Sequence, residues 1–331
     1  MSGTATDIIG VNTVRPRLIR LRHTLPRFSV LILLGILIII FGALRPAQFL
    51  SAANAQTIIY AQSVALVTVV AALAPLTVGD FDISTGGILG MSGVLFAAAA
   101  QSGIPFVAAA LLGILGGLIV GGVNAFLVVR LGIDSFTSTL ATATLTSAVA
   151  LFVSGGIKLY EGVPAWFVSF GRTSILGIPV LFLIALILAA ALWYVVDLTP
   201  FGRGIRATGS NRGAADLIGV RTARLRTIAF LAGSVLAAIA GLLTVAKVGS
   251  ADPTVGIDQA FSAYAAIFLG ATFSTLGRLN VWGSLVALIT LSIGTTGLSM
   301  LGAPIWVPQA LNGIALVAAL IAGRLRTYRQ R

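Results

Sequence analysis

Residues 199–226, TPFGRGIRATGSNRGAADLIGVRTARLR, carry six arginines and interrupt a sequence that is otherwise one apolar run after another. The runs on either side are long enough for a bilayer, where a crossing helix needs roughly 20 apolar residues. Backbone polar groups cannot be left unpaired in hydrocarbon, so such runs must be helical. Only 9% of the residues are charged and 58% are hydrophobic, against about 25% charged in a soluble domain. The expected fold is therefore all-α, a polytopic transmembrane helix bundle of about ten spans, with no room for a soluble catalytic domain in 331 residues. The basic island must stay in water, and a structured basic loop on such a bundle is suited to touching a cytoplasmic partner.

The predicted spans are 28–44, 57–78, 86–101, 104–129, 135–154, 178–197, 227–247, 260–275, 281–301 and 305–323. The basic stretch before the first run holds Arg15, Arg17, Arg20, Arg22 and Arg27. It could mimic a signal peptide, but the run is too long for one and no small-residue cleavage site follows. Residues 1–27 read as a basic cytoplasmic tail, 28–325 as the membrane domain and 326–331 as a second cytoplasmic tail. With the N-terminus inside, 17 of the 21 lysines and arginines fall on the cytoplasmic side; only Arg45, Lys158, Arg172 and Lys247 fall outside. That asymmetry predicts both termini in the cytoplasm. It also accounts for the net charge of +12 without a nucleic-acid partner. Trp166 and Trp306 fall at the outer face and Trp193 and Trp282 at the inner one, as interfacial aromatics prefer.

Small residues recur at four-residue spacing in Gly113, Gly117 and Gly121, and again in Gly233, Ala237 and Gly241. Such stripes let helix backbones approach closely, within the chain or between two copies. A weak internal echo pairs Gly87, Gly93 and Leu95 with Gly277, Gly283 and Leu285.

The sequence offers no catalytic, metal or cofactor site. There are no cysteines, and neither Lys158 nor Lys247 ends a phosphate-binding GxxxxGK loop. If ATP drives the protein, another polypeptide hydrolyses it. No carboxylate or histidine falls mid-span, which speaks against a proton-coupled carrier. Asp80, Asp82 and Ser84 in GDFDIS stand apart. They read either as a cytoplasmic turn, with Ser84 or Thr85 capping the next helix, or as a broken helix dipping into the membrane near a pathway. In the island, Ser210 or Asn211 can cap a short helix over 212–218, and Gly219 is placed to stop it. Ala214 and Ala215 give a close-packing face and Leu217 and Ile218 an apolar ridge. This helix suits a groove on a partner, or else a surface of anionic membrane lipid.

Four segments together resemble the permease subunits of ribose-type carbohydrate ABC importers. GDFDISTGGILGMSG (79–93) is similar to that family's GxIDLSVGxxxxxSG. GLIVGGVNAFLVVRLGIDSFTSTLAT (117–142) is similar to GxxNGxLVxxxxxPxFIxTLGT. TPFGRGIRATGSNRGAADLIGV (199–220) is similar to TxFGRxIxAxGxNxxAAxxSGI. AKVGSADPTVGIDQAFSAYAAIFLGATFSTLGR (246–278) is similar to a segment with GSAxPxxG and GGTSxxGGxG. The resemblance covers about residues 30–325. It departs at Asp80, at Ser135 in place of a proline, and at Ala271 and 273–276, where glycines are missing. It implies two permease subunits, homo- or heterodimeric, two ATP-binding cassette ATPases and a periplasmic or lipid-anchored substrate-binding protein in the inner membrane. Gly209, Asn211, Ala214, Ala215, Leu217 and Gly219 would form the ATPase-coupling helix. The expected substrate is a monosaccharide or related polyol. A nucleoside, a branched-chain amino acid or a furanone signal is the alternative cargo, and a stand-alone secondary carrier the less favoured mechanism. Because sugars are uncharged, neutral polar groups suit the path, and Asn124, Thr137, Thr142 and Asn312 are the candidates; the two asparagines could equally bond between helices.

Overall fold

A computed structural model describes residues 28–272, 278–304 and 306–329, with the backbone alone for 322–329. The basic tail 1–27, the segment 273–277 with Gly277 of the echo, and residues 330–331 lie outside the described residues. The helices are α1 Ser29–Leu44, α2 Pro46–Phe49, α3 Ala52–Thr77, α4 Ser84–Gln101, α5 Phe106–Ala125, α6 Ser135–Ser154, α7 Ala165–Arg172, α8 Val180–Trp193, α9 Pro200–Ser210, α10 Arg212–Leu217, α11 Thr222–Val248, α12 Ile257–Gly270, α13 Val281–Met300 and α14 Val307–Arg329. A π-helical turn extends α5 over Phe126–Arg130 and α8 over Tyr194–Leu198. The hairpin β1 (Ser174–Ile175) and β2 (Ile178–Pro179) is the one sheet among the described residues.

Among the described residues, six helical stretches are long and apolar enough to cross a bilayer: Ala52–Thr77, Phe106–Arg130, Ser135–Ser154, Val180–Leu198, Thr222–Val248 and Val281–Met300. The remaining predicted spans differ for physical reasons. Glycine-rich α4 is almost wholly enclosed by other helices, so it needs little affinity for lipid. The 14 residues of α12 reach only about 21 Å at 1.5 Å per residue, short of a hydrocarbon layer of about 30 Å.

The long helices α3 and α11 form the axis. Against them pack α4 and α5 on one side, with α6 outside on α4, and α12 and α13 on the other, with α14 outside on these two; α8 lies along α3. Both small-residue stripes are used up inside the chain. A Cβ at Gly117 would press on Ala238 and on the Ser234 carbonyl, and one at Gly113 on the Ser92 carbonyl and Leu242. A Cβ at Gly233 would meet the Ala71 carbonyl and Pro75.

Ionic groups sort to the two ends of the bundle. At one end Asp197 pairs with Arg206, and Asp80 with Arg212 and Arg226; the ring of Trp193, one helical turn before Asp197, lies 5.8 Å from that of Trp282. At the other, Lys158 pairs with Asp252 at 2.9 Å and Leu159 exchanges backbone hydrogen bonds with Ala251. Segments expected on one face of the membrane therefore meet one another.

Two connections enter the bundle instead of skirting it. Ser84 bonds Asn124, which bonds Thr142. Thr142 stands seven residues into α6, so about 10 Å from its start. Higher up, a Cβ at Gly86 would strike the Gly256 carbonyl and one at Gly90 the Val255 carbonyl. The segment 249–256 thus runs back down beside α4 after α11 ends, and α12 starts inside the bundle.

Candidate functional site

The basic island folds as two helices, where the sequence predicted one. Thr199 Oγ1 accepts from Gly202 N–H at 3.2 Å, and Pro200 sits in the first turn, together fixing the start of α9. Its inward face is Gly202, Ile205 and Thr208. At its end Gly209 lies so close to the Thr77 carbonyl that a side chain would collide, which seats the island on the foot of α3. Asn211 then leaves the helical conformation, and its Oδ1 accepts from Ala214 N–H at 3.1 Å. Such a cap is worth about 1 kcal/mol. Gly219, at φ +82°, stops α10 as expected. Ala215 is 2% exposed, its close-packing face turned to the chain's own interior. Leu217 and Ile218 are 90% and 76% exposed. α11 begins at Thr222, five residues before the predicted span, so Arg224 and Arg226 are helical and not part of the loop.

The reason is Asp80. Its Oδ2 accepts from Arg226 Nε at 2.6 Å, and its Oδ1 from Arg226 Nη2 at 2.9 Å and Arg212 Nη2 at 3.1 Å. The pairing draws Arg226 to 9% exposure. It ties the α3–α4 connection both to α11 and to the start of α10. Asp82 is fully enclosed; α4 starts after Ile83, so Ser84 and Thr85 stand in its first turn and do not cap it. The Asp82 Oδ1 accepts from the Ser84 N–H at 3.0 Å and from the Ser84 hydroxyl. Tyr264 Oη donates to the Asp82 carbonyl at 2.7 Å. Burial pushes the Asp82 carboxyl up to about 6, although the Ser84 and Thr85 hydrogen bonds pull the other way. The α3–α4 connection is thus enclosed by the helices around it, with Asp80 and Asp82 both buried.

The four expected path residues separate. Asn124 and Thr142 are buried and bonded to each other at 2.7 Å, so their polar groups knit α4, α5 and α6. Thr137 is exposed at the start of α6, where its hydroxyl and N–H donate to Asp134 Oδ1. Asn312 alone faces a cavity. This space of about 320 Å³ lies between α3, α11, α12, α13 and α14. Gln62, Lys247, Asp258, Gln259 and Ser262 line it with Asn312. Every one of these is in the half of its helix remote from Asp80 and Arg226. None but Asn312 was singled out from sequence; the signal available was Lys247, one of only two lysines.

Comparison with known proteins follows this geometry. The family model for the permease component of branched-chain amino acid transport systems matches residues 54–320. The D-allose transport system permease protein of Escherichia coli is 29% identical over 90% of this chain and 92% of its own. The ribose import permease protein of Bacillus subtilis is 30% identical over 89% and 91%. The autoinducer 2 import permease LsrC of Escherichia coli is 31% identical over 89% and 86%. Among solved structures, an ABC transporter in an inward-facing conformation superposes with a TM-score of 0.50 at 17% identity, over 90% of this chain and 99% of its own; that likeness concerns the fold alone. By the family match and by identity over nearly the whole length, the chain belongs to this permease family, as a multi-pass ABC importer subunit of the ribose type.

Proposed function

We propose that the chain carries a monosaccharide or related polyol across the inner membrane, within an assembly of two permease subunits, two ATPase subunits and a substrate-binding protein. ATP is hydrolysed by the partner that docks on residues 199–226. Ten crossings with both termini cytoplasmic complete the reading, and place the Asp80–Arg226 end inside and the polar cavity towards the outside.

The observation that carries it is the ridge of Leu217 and Ile218. Two large apolar side chains, nearly fully exposed, stand on a loop too basic for hydrocarbon. Exposed apolar groups rimmed by polar ones mark an interaction site. The ridge is also held rigidly, by the Asn211 cap, by Gly209 on α3 and by Arg212 on Asp80. A push on it therefore reaches the bundle. Of the four neutral polar residues, Asn312 is the one on the path.

The test is reconstitution in vesicles with the ATPase and binding protein. Uptake of D-ribose or D-allose should need ATP and survive a protonophore. The pair Leu217→Asp and Ile218→Asp should abolish ATPase binding while the permease still elutes as a folded species. Full ATPase binding by that variant, or loss of uptake to the protonophore with ATP still high, would refute the reading. Reporter fusions at 165 and 212 should fall on opposite sides, with 212 cytoplasmic.

A further inference from the structure

We propose that the cavity between α3, α11, α12, α13 and α14 is a binding subsite for a neutral polyhydroxylated ligand of single-ring size. Gln259, Asn312, Gln62 and Lys247 are its specificity-determining contacts. The proposal rests on the sugar-import reading and adds to it where in the chain the solute is recognised, and by which groups.

Size is the first argument. Small-molecule sites span about 300–1,000 Å³, and this one, at about 320 Å³, is at the small end. It holds one ring and not a disaccharide.

The second argument is the hydrogen-bonding capacity left over in the walls. The Oε1 of Gln259 is buried and has no hydrogen-bond partner among the described residues. A buried carbonyl without a donor is unfavourable, and a ligand hydroxyl would relieve it. The Lys247 ammonium donates to the Ala61 carbonyl at 2.9 Å and stands 5.0 Å from the centre of the Tyr60 ring. Among the described residues no carboxylate pairs with it. An ammonium has three donors, so two remain. Asn312 donates to Ser262 Oγ at 3.0 Å, and Gln62 to Ser292 Oγ at 2.8 Å. Each of these bonds fixes an amide whose oxygen can still accept. Side chains held this way are oriented before a ligand arrives.

Charge decides the class. Lys247 and Asp258 bring one positive and one negative charge to the same walls, so an ionic solute that pairs with one is repelled by the other. An apolar solute would leave the amides and the ammonium unmatched. A sugar hydroxyl both donates and accepts, which is what a mixed wall of amides, hydroxyls, one cation and one anion can satisfy. The position agrees. Where 249–256 turns back into the bundle, α12 begins inside it, and its first two turns supply Asp258, Gln259 and Ser262. Interrupted helices of this kind present polar groups at depth.

The natural absence of cysteine allows a direct test. Ser262→Cys and Asn312→Cys would be made singly, with Ser102→Cys in the exposed outer turn as control. Each would be assembled with the ATPase and the binding protein in right-side-out vesicles. Labelling by a membrane-impermeant thiol reagent should be slowed several-fold at Ser262→Cys by D-ribose or D-allose, not by L-glucose, and should be unaffected at Ser102→Cys. Separately, Gln259→Leu should raise the KM for uptake about tenfold, the factor of a lost hydrogen bond, with a smaller change in the maximal rate. Unchanged labelling in an assembly that still takes up sugar would overturn the proposal, as would wild-type uptake kinetics in Gln259→Leu. A wild-type assembly that takes up neither sugar would remove the sugar-import reading itself, a result seen before any variant is made.

Discussion

Replacing Asp80 by alanine removes the acceptor of three hydrogen bonds, from Arg226 Nε, Arg226 Nη2 and Arg212 Nη2. The two arginines are not equivalent. The side chain of Arg226 is 11% exposed and that of Arg212 42%, against 4% for Asp80. In Asp80→Ala the Arg226 charge stays enclosed with no carboxylate beside it, and breaking a buried pair from one side costs about 3–5 kcal/mol. Losing the Arg212 contact from its exposed side, in Arg212→Ala, costs about 0–1 kcal/mol. Removing both buried charges together, in Asp80→Leu with Arg226→Met, should restore most of the loss, because an apolar pair of similar volume is often as stable as a buried ionic one. The assay is the fraction of purified permease that remains monodisperse in detergent after stepwise heating. The expected order of stability is wild type, then Arg212→Ala, with Asp80→Ala far below and the double variant near the top. If Asp80→Ala survives heating as well as Arg212→Ala does, the pair does not hold the α3–α4 connection to α11, and the basic island has no rigid seat there.

Three further outcomes follow from the packing. Gly241→Val should destabilise the bundle by about 1–3 kcal/mol, since a Cβ there would collide with the Leu89 carbonyl; thermal denaturation checks it, and an unchanged midpoint would show that α4 and α11 can part without cost. Asn124→Leu leaves the Ser84 and Thr142 hydroxyls without their shared amide, costing about 1–3 kcal/mol, and should lower the folded yield while leaving the KM for uptake unchanged; a raised KM with normal yield would return Asn124 to the path. Asp82 keeps its proton up to about 6 when folded, against an ordinary 3.8. The folded chain therefore binds more protons between those values, and the contribution of Asp82 to stability falls as pH rises through that window. Asp82→Asn should lack that slope, and equal slopes in denaturation at pH 4–6 would refute the assignment.

The helical bundle and its two ends were legible because lipid leaves the chain few options: apolar run length and arginine placement carry the information directly. The start and stop of α10 were equally legible, since Asn211 and Gly219 act through backbone geometry that depends only on their neighbours. What could not be read depended on contacts distant in sequence. Arg226 looked like a loop residue because nothing local shows that Asp80, 146 positions earlier, will draw it into a helix. Ala215 and Ala214 look alike in sequence, and only the seating of Gly209 on Thr77 decides which faces inward. Asn124 and Asn312 carry the same amide, yet one is saturated by Ser84 and Thr142 and the other lines open space. The early start of α12 escaped because 249–256 has the composition of an outer loop, and only contact with Gly86 and Gly90 shows that it runs inside.

The backbone of α4 touches its surroundings with little side-chain layer between. Gly86 and Gly90 abut the carbonyls of 255–256, Gly87 abuts Thr146 and Ala143, and Gly93 abuts the Gly241 carbonyl. Side chains at a helix interface act as springs, changing rotamer to take up small shifts; here the springs are missing. The parts of α4, α6, α11 and the returning segment that meet at these glycines mesh like gear teeth, and displacement of one is passed on at nearly full amplitude. α13 is geared in the same way to α12, through Gly283 against the Gly270 carbonyl, whereas Gly313 of α14 has open space beside it; the compliance needed to open and shut the polar cavity then belongs to α14.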